Sequence, residues 1–162
     1  MTLKSIKLSV TMTKGASIRL AAPTGLRFQT TVKSENGIAA DEILNSKTVT
    51  TGTLITTLAS YEHNGNTLTR DSKYTFLDIA NDGWFNDGTK TETGKFCGSI
   101  IKIKKENYGR KFIAVGYATI NYSNGGSKTV YANVTANNAK SIAYVAEQVK
   151  KSEAYNLSLI HI

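Results

Sequence analysis

The chain has 162 residues, of which 40% are hydrophobic and 20% charged, and its formal net charge is +8. This composition fits one globular domain and excludes an intrinsically disordered chain. The single cysteine excludes an internal disulfide, and the positive charge would attract polyanions without selecting one of them.

The N-terminal part of the chain predicts β-strands. Between residues 6 and 12 apolar and polar side chains alternate, which indicates a strand with one solvated face. Residues 15–32 predict two short strands joined by a turn that contains Pro23 and Gly25, because proline fixes φ and glycine tolerates a positive φ. This hairpin is the part around which we expect the scaffold to be built.

Two arginines occupy equivalent positions in the hairpin. Arg19 and Arg27 each stand between two large apolar residues, so each strand should bury one face and extend a guanidinium from the other. We expect the two arginines to share a face and to serve structurally. An ion-pair network with Asp41 or Glu42 is favoured over the clamping of a ligand.

The middle of the chain changes pattern several times. Residues 38–45 contain helix formers and predict a short helix, and the β-branched run at 48–58 predicts a strand. Residues 59–95 are rich in Asn, Asp, Gly and Thr. A loop of this length is uncommon in a compact domain, so one or two short strands are expected within it. Strand character resumes at 96–103, and residues 111–122 are apolar or small on both faces, which predicts a central strand covered on both sides.

The C-terminal part predicts a hairpin and then a helix. A strand is expected at 128–134, and at 139–151 apolar residues recur at helical spacing, which predicts an amphipathic helix docked on the sheet. The last six residues resemble translated read-through of a sequencing adapter. We therefore expect one domain over residues 1–155 and a non-domain tail, an artefact of sequencing, over 156–162. The predicted fold is mainly β with minor α: a two-layer antiparallel β-sandwich-like domain with one short helix and the docked C-terminal helix.

Few residues suit catalysis. His63 lies in a sequence typical of a turn, and Cys97 has no histidine or acidic cluster beside it, so it is expected to be a small buried hydrophobe. Phosphate-loop, dinucleotide-binding and zinc patterns are absent, and we expect no cofactor and no metal. The oxygen-rich loop at 78–88 lacks the EF-hand pattern, since Ala80 and Thr89 stand at its third and twelfth positions; a calcium site of another kind stays open.

The same loop carries the candidate binding residues: Trp84, Phe85, Asp82, Asn86 and Asp87. An exposed aromatic ring can stack on a sugar while amides and carboxylates bind its hydroxyls, as in β-sandwich carbohydrate-binding modules. The alternative is that Trp84, the only tryptophan, anchors a long loop to the core. An exposed Trp84 beside Tyr61 or Tyr74 would favour glycan binding, and a buried one would favour a structural role.

Charge and hydropathy limit the partners. A basic patch lies near one strand end and comprises Lys102, Lys104, Lys105, Arg110 and Lys111. Lys102 and Lys104 share a face opposite Ile101 and Ile103, which is interpreted as the solvated side of an amphipathic strand. With no basic helix and no interleaved aromatics, nucleic acid is not an expected partner. No window reaches membrane-spanning length, and the first ten residues do not form a signal peptide. We interpret the chain as an internal piece of a longer secreted protein.

Several segments resemble a module of large secreted and wall-attached proteins of gut Firmicutes. The resemblance covers about residues 15–152 and is carried by GASIR at 15–19, PTGLRF at 23–28, GTLI at 52–55, NYGRKF at 107–112, VY at 130–131 and SIAYVA at 141–146. It implies a β-rich accessory domain beside other extracellular domains, and it implies neither catalytic residues nor a defined binding site.

These observations predict a non-catalytic extracellular or cell-wall module of a bacterial surface protein, which serves in adhesion or binds a cell-wall or host glycan. A purely structural spacer is the alternative. A hydrolase that uses Asp78, Asp82 and Asp87 is disfavoured, because glycoside hydrolysis requires two carboxylates held across a cleft.

Overall fold

A computed structural model describes residues 6–13, 16–19, 25–35, 44, 46–86 and 88–148. The strands within these residues are β1 (Leu8–Met12), β2 (Ser17–Arg19), β3 (Gly25–Ser34), β4 (Val49–Thr57), β5 (Leu77–Ala80), β6 (Phe85–Asn86), β7 (Thr91–Glu92), β8 (Lys95–Ile101), β9 (Phe112–Asn121) and β10 (Ser127–Tyr131). Helix is described at α1 (Leu58–His63) and at α2, residues 142–148, and 3-10 turns at Lys105–Asn107 and Ala136–Asn138.

The strands form two antiparallel sheets and a small hairpin. In sheet A, β1 and β2 both pair with one edge of β3, and β8 pairs with the other edge. Sheet B has the order β10-β9-β4-β5, and β6 pairs only with β7. The predicted hairpin of β2 and β3 is present, with Ser17 opposite Arg27 and position 19 opposite Gly25.

The two sheets pack face to face. Alternate residues of β3 point inward and are buried, among them Leu26, Phe28 and Val32, while Arg27 and Lys33 are exposed. Their apolar partners lie on β4, β8 and β9, and together they form two clusters between the sheets. The predicted fold class is confirmed: a mainly β, two-layer antiparallel sandwich with minor helix.

The outer face of sheet B is also covered. Buried residues on that side form a third cluster, which comprises Leu54, Tyr61, Leu68, Ile113, Val115, Tyr117 and Ala139. All residues of β9 from 112 to 120 are consequently buried, as the apolar or small residues on both faces predict. The outer face of sheet A carries polar residues such as Gln29, Thr31 and Cys97, which are half-buried.

Threonine side chains of one sheet pack directly on glycines of the other. A Cβ atom added to Gly116 in β9 would lie 2.2 Å from Oγ1 of Thr30 in β3, and one added to Gly98 in β8 would lie 2.4 Å from Oγ1 of Thr53 in β4. Both hydroxyls are buried without a hydrogen-bond partner. The sheets therefore approach each other more closely here than two side chains would permit.

The structure contains one helix that was not predicted and describes the two predicted helices in part. The predicted strand at 48–58 ends at Thr57, whose hydroxyl accepts a hydrogen bond from the Ser60 N–H at 3.2 Å and caps α1, so residues 58–63 are helical. The predicted helix at 38–45 lies outside the described residues except for Leu44, which is helical and buried. The C-terminal helix is described over 142–148 and buries Ile142 and Val145 against the inner core.

Backbone hydrogen bonds fix the start of that C-terminal helix. The N–H of Ala143 donates to the Tyr108 carbonyl at 2.9 Å, and Lys140 exchanges backbone hydrogen bonds with Phe112. The candidate tail at 156–162 lies outside the described residues. No helix in the described part of the chain is long and apolar enough to span a membrane.

The unpaired threonine hydroxyls predict an unusual response to substitution. Thr30→Val should raise the free energy of unfolding by about 1 kcal/mol, because it replaces a buried, unpaired hydroxyl with a methyl group. Thr119 is the matched control, since it is equally buried but shares a 2.8 Å hydrogen bond with Thr129. Thr119→Val should lower the same free energy by about 1 kcal/mol. Chemical denaturation measures both, and equal destabilisation by the two changes would contradict the packing described.

Candidate functional site

The loop that carries Trp84 is held firmly against β4. Beyond β5, the backbone N–H of Asn81 donates to the Thr51 carbonyl at 3.0 Å, and its side-chain Nδ2 donates to Thr51 Oγ1 at 3.0 Å. Its Oδ1 accepts from the Gly83 N–H at 3.2 Å, which is the local turn that an Asn-Asp-Gly sequence favours. Asn81 is thus a positioning residue for the loop.

Trp84 combines a structural contact with partial exposure. Its ring packs on Phe96 of β8, with ring centroids 6.1 Å apart and an angle of 59° between the planes. It joins the edge of the inner core and remains half-buried. Tyr61 and Tyr74 belong to the cluster on the other side of sheet B, so the predicted aromatic neighbours of Trp84 are not beside it. Trp84 is therefore neither fully exposed, as expected for glycan binding, nor fully buried, as expected for a structural role.

An open groove of about 420 Å³ runs past Trp84. One wall is the segment that leads into β4, and the other is the loop after β5. The polar residues that line it are Ser46, Lys47, Thr50, Thr51, Asn81 and Asp82. Asp82 is exposed, and its carboxylate has no hydrogen-bond or ion-pair partner among the described residues. The groove therefore offers an indole, an ammonium, hydroxyls and a carboxylate side by side.

Only some of the predicted site residues meet in this groove. Trp84 and Asp82 line it, but Phe85 lines a separate pocket of about 210 Å³ with Arg27. The Asn86 side chain closes the β6–β7 hairpin, since its Oδ1 accepts from the Gly88 N–H at 2.8 Å and its Nδ2 donates to Thr91 at 3.2 Å. Asp87 lies outside the described residues.

The opposite wall of the groove was not predicted as part of a site. Ser46, Lys47 and Thr50 precede or begin β4, and their sequence shows only a β-branched strand. They reach the Trp84 loop because β4 pairs with β5 in a register that sets Gly52 opposite Ala80. The only local feature of the sequence that pointed to this wall was the alternation of side chains in β4, which exposes Thr50.

The structural arginines are described in part. Arg27 is exposed, and its Nε donates to the Ser17 hydroxyl at 3.1 Å. The backbone register sets positions 19 and 27 on the same face of the hairpin. The Arg19 side chain and the predicted acidic partners, Asp41 and Glu42, lie outside the described residues.

Asp78, a candidate carboxylate, is fully engaged on the outer face of sheet B. Its Oδ1 accepts a hydrogen bond from the Tyr117 hydroxyl at 2.7 Å, and its Oδ2 pairs with Arg70 Nε at 3.2 Å. The Arg70 guanidinium lies 5.0 Å from the centre of the Tyr117 ring. Burial, and then the hydrogen bond to Asp78, raise the pKa of Tyr117 above its ordinary value. A Cβ on Gly52 would lie 2.4 Å from the Tyr117 hydroxyl, so glycine makes room for this network.

The remaining candidates are dispersed. Burial raises the pKa of the half-buried Cys97 thiol, an effect that Arg27 partly offsets, and His63 is exposed at the end of α1. Among the described residues, no group of three or more His, Cys, Asp or Glu is arranged to hold a metal ion.

The predicted amphipathic strand does not extend through Lys102 and Lys104, because β8 ends at Ile101 and Lys102 has a positive φ of 59°. Both lysines are nevertheless exposed.

The Tyr117 network predicts a dependence of stability on alkaline pH. Tyr117→Phe should lower the free energy of unfolding by about 1 kcal/mol at pH 7, because it removes a hydrogen bond to a partly exposed carboxylate. The unfolded chain releases the tyrosine proton near pH 10 while folded Tyr117 retains it. Its contribution is therefore complete below pH 10 and declines above it, so the difference between wild type and variant should shrink as pH rises.

Urea denaturation at several pH values measures this difference. Tyr122→Phe is the control, since the Tyr122 hydroxyl makes no hydrogen bond within the described residues, and it should change stability by less than about 0.5 kcal/mol. A Tyr117→Phe effect that is constant from pH 7 to alkaline pH would contradict the assigned network.

No protein-family model matches the chain, and the comparisons with curated proteins and with solved structures found no match.

Proposed function

We propose that this chain is a non-catalytic extracellular module that binds a glycan in the groove beside Trp84. The observation that carries the proposal is the half-buried indole in an open groove that is also lined by threonine hydroxyls, Lys47 and Asp82, whose carboxylate has no partner among the described residues. Its volume of about 420 Å³ falls within the range of about 300–1,000 Å³ that is usual for ligand sites.

The chemistry of the groove suits a sugar. A pyranose presents C–H groups on its faces and hydroxyls around its rim, so it needs an apolar platform together with donors and acceptors. Trp84 supplies the platform, since an indole is large and apolar with one polar edge. Asp82 accepts hydrogen bonds, Lys47 donates them, and the Thr50 hydroxyl does either.

The groove is also rigid enough to bind without reorganisation. Asn81 fixes the loop to β4 through two hydrogen bonds to Thr51 and orders the turn through a third from Gly83, and Phe96 supports the indole from the core side. A site that is already ordered loses less entropy when a ligand binds. These contacts support recognition by the folded scaffold rather than by a loop that orders on binding.

An extracellular setting in a bacterial surface or secreted protein is part of the same proposal. The resemblance to modules of secreted and wall-attached proteins supports it, and it suggests adhesion to a cell-wall or host glycan as the role, with neighbouring domains in a longer chain. The net charge of +8 would favour acidic over neutral polymers at the surface.

A structural spacer is the second candidate, and one observation favours it: Trp84 packs on the fully buried Phe96 and so has a task in the core. A hydrolase is less well supported. Asp82 is the only carboxylate among the described residues of the groove, Asp78 is engaged by Tyr117 and Arg70, and glycoside hydrolysis requires two carboxylates about 5–10 Å apart.

A glycan array with wild type and variants tests the proposal. Asp82→Ala should weaken binding of the recognised glycan about tenfold, because it removes a charge-assisted hydrogen bond, and within the described part of the chain the Asp82 carboxylate has no hydrogen bond or ion pair to lose. Trp84→Ala should abolish detectable binding. Asp71→Ala is the matched control, since Asp71 is exposed and lies outside the groove, and its binding should equal that of wild type.

Two results would contradict the proposal. Equal binding of one glycan by wild type, Asp82→Ala and Trp84→Ala would place the ligand elsewhere. Binding of no glycan by folded wild type would favour the spacer. Because Trp84→Ala also removes packing against Phe96, its folding is checked by circular dichroism. If Trp84→Ala is unfolded, the result for Asp82→Ala decides the test.

A further inference from the structure

A second, smaller pocket lies on the outer face of sheet A. Its residues come from adjacent strands, since Arg27 stands opposite Ser17 of β2, and Gln29 stands opposite Cys97 of β8. Phe85 of the β6–β7 hairpin forms one side. The pocket of about 210 Å³ is distinct from the Trp84 groove, because the two share no lining residue within the described ranges.

The polar groups of this pocket are mostly hydrogen-bond donors. Ser17 Oγ accepts from Arg27 Nε at 3.1 Å, and Gln29 Oε1 accepts from the Thr13 hydroxyl at 2.9 Å, so both acceptors are engaged. Among the described residues, the terminal guanidinium nitrogens of Arg27 and the Ser17 hydroxyl hydrogen remain as donors, while the Gln29 side chain hydrogen-bonds the Cys97 thiol. A site of this kind is complementary to a ligand that only accepts.

The charge of the pocket is positive, which also suits a ligand that accepts hydrogen bonds. Arg27 is the only charged residue among the described residues that line it. A guanidinium presents two parallel N–H groups that match the two oxygens of a carboxylate. Cys97 adds a neutral thiol, because burial raises its pKa, so the thiol does not oppose an anion.

The remaining walls are apolar and limit the size of the ligand. The Phe85 ring and the Ala16 methyl group line one side, where a flat apolar group can pack. A volume of 210 Å³ equals the share of about seven liquid water molecules. That is enough for a carboxylate on a small ring and too little for a sugar chain.

We propose that the pocket between Arg27, Gln29, Cys97 and Phe85 binds a small organic acid, with the carboxylate on Arg27 and a planar apolar group against Phe85. This site is independent of the proposed glycan groove: it lies on the outer face of sheet A whereas the groove lies against sheet B, and its occupancy requires no sugar. Benzoate is the simplest probe of this class, and benzamide is its neutral counterpart of nearly the same shape.

The single cysteine of the chain reports directly on occupancy. The rate at which iodoacetamide alkylates Cys97 is measured by intact mass while benzoate is titrated into the millimolar range. Saturating benzoate should slow alkylation at least tenfold, and benzamide at the same concentration should slow it less than twofold. Acetate should protect only at higher concentration than benzoate, because it lacks the planar group.

Variants assign the effect to Arg27. Arg27→Gln should remove protection by benzoate, and the glutamine can still hydrogen-bond Ser17, so the hairpin is retained. Lys33→Gln is the matched control, since Lys33 is exposed on the same strand but does not line the pocket. Benzoate should slow the alkylation of Cys97 in this variant as much as in wild type. A fluorescence unfolding curve for each variant confirms that it is folded.

Three outcomes would overturn the proposal: no protection of folded wild type by benzoate, equal protection by benzoate and benzamide, or unchanged protection in folded Arg27→Gln. The glycan array does not enter this test. The carboxylate site can therefore fail while the glycan proposal stands, and the reverse also holds.

Discussion

The structure depends on a close approach of its two sheets. Thr30 of sheet A packs on Gly116 of sheet B, and Thr53 of sheet B packs on Gly98 of sheet A, so closely that any Cβ on either glycine would lie within 2.4 Å of a threonine side-chain atom. Each sheet thus supplies the threonine of one contact and the glycine of the other. Each threonine fills the space that the facing glycine leaves, and two unpaired hydroxyls are buried as a consequence.

Both candidate sites are built on the strands that meet there. Phe96, which supports Trp84, lies two residues before Gly98 on β8, and Thr51, which holds Asn81, lies two residues before Thr53 on β4. The glycan groove thus lies against β4 and β5 of sheet B, and its tryptophan packs on Phe96 of sheet A. Cys97, between Phe96 and Gly98, points to the other face and lines the Arg27 pocket. One short segment of β8 therefore contributes to the core, the groove and the pocket.

The sequence predicted the features that local pattern controls. The strand with alternating side chains near 6–12 and the two-sided apolar run of β9 were predicted correctly, because side-chain periodicity alone decides them. The amphipathic C-terminal helix, predicted over 139–151, is confirmed over 142–148. Helix α1 was missed, since a threonine that caps a helix at Thr57 is indistinguishable from one more β-branched strand residue. The groove was predicted on one side only: Trp84 and Asp82 are adjacent in the chain, whereas Lys47 and Thr50 join them through strand register. The roles of Gly98 and Gly116 are likewise contacts between distant residues.

The most direct test of this account is a double-mutant cycle across the sheet contact. The free energies of unfolding are measured for wild type, Gly116→Ala, Thr30→Gly and the double variant. If Thr30 fills the space above Gly116, Gly116→Ala should cost at least about 1 kcal/mol less in the Thr30→Gly background than in wild type, because the clash is relieved. Effects that add to within about 0.3–0.5 kcal/mol would contradict the claim that this contact sets the spacing of the sandwich.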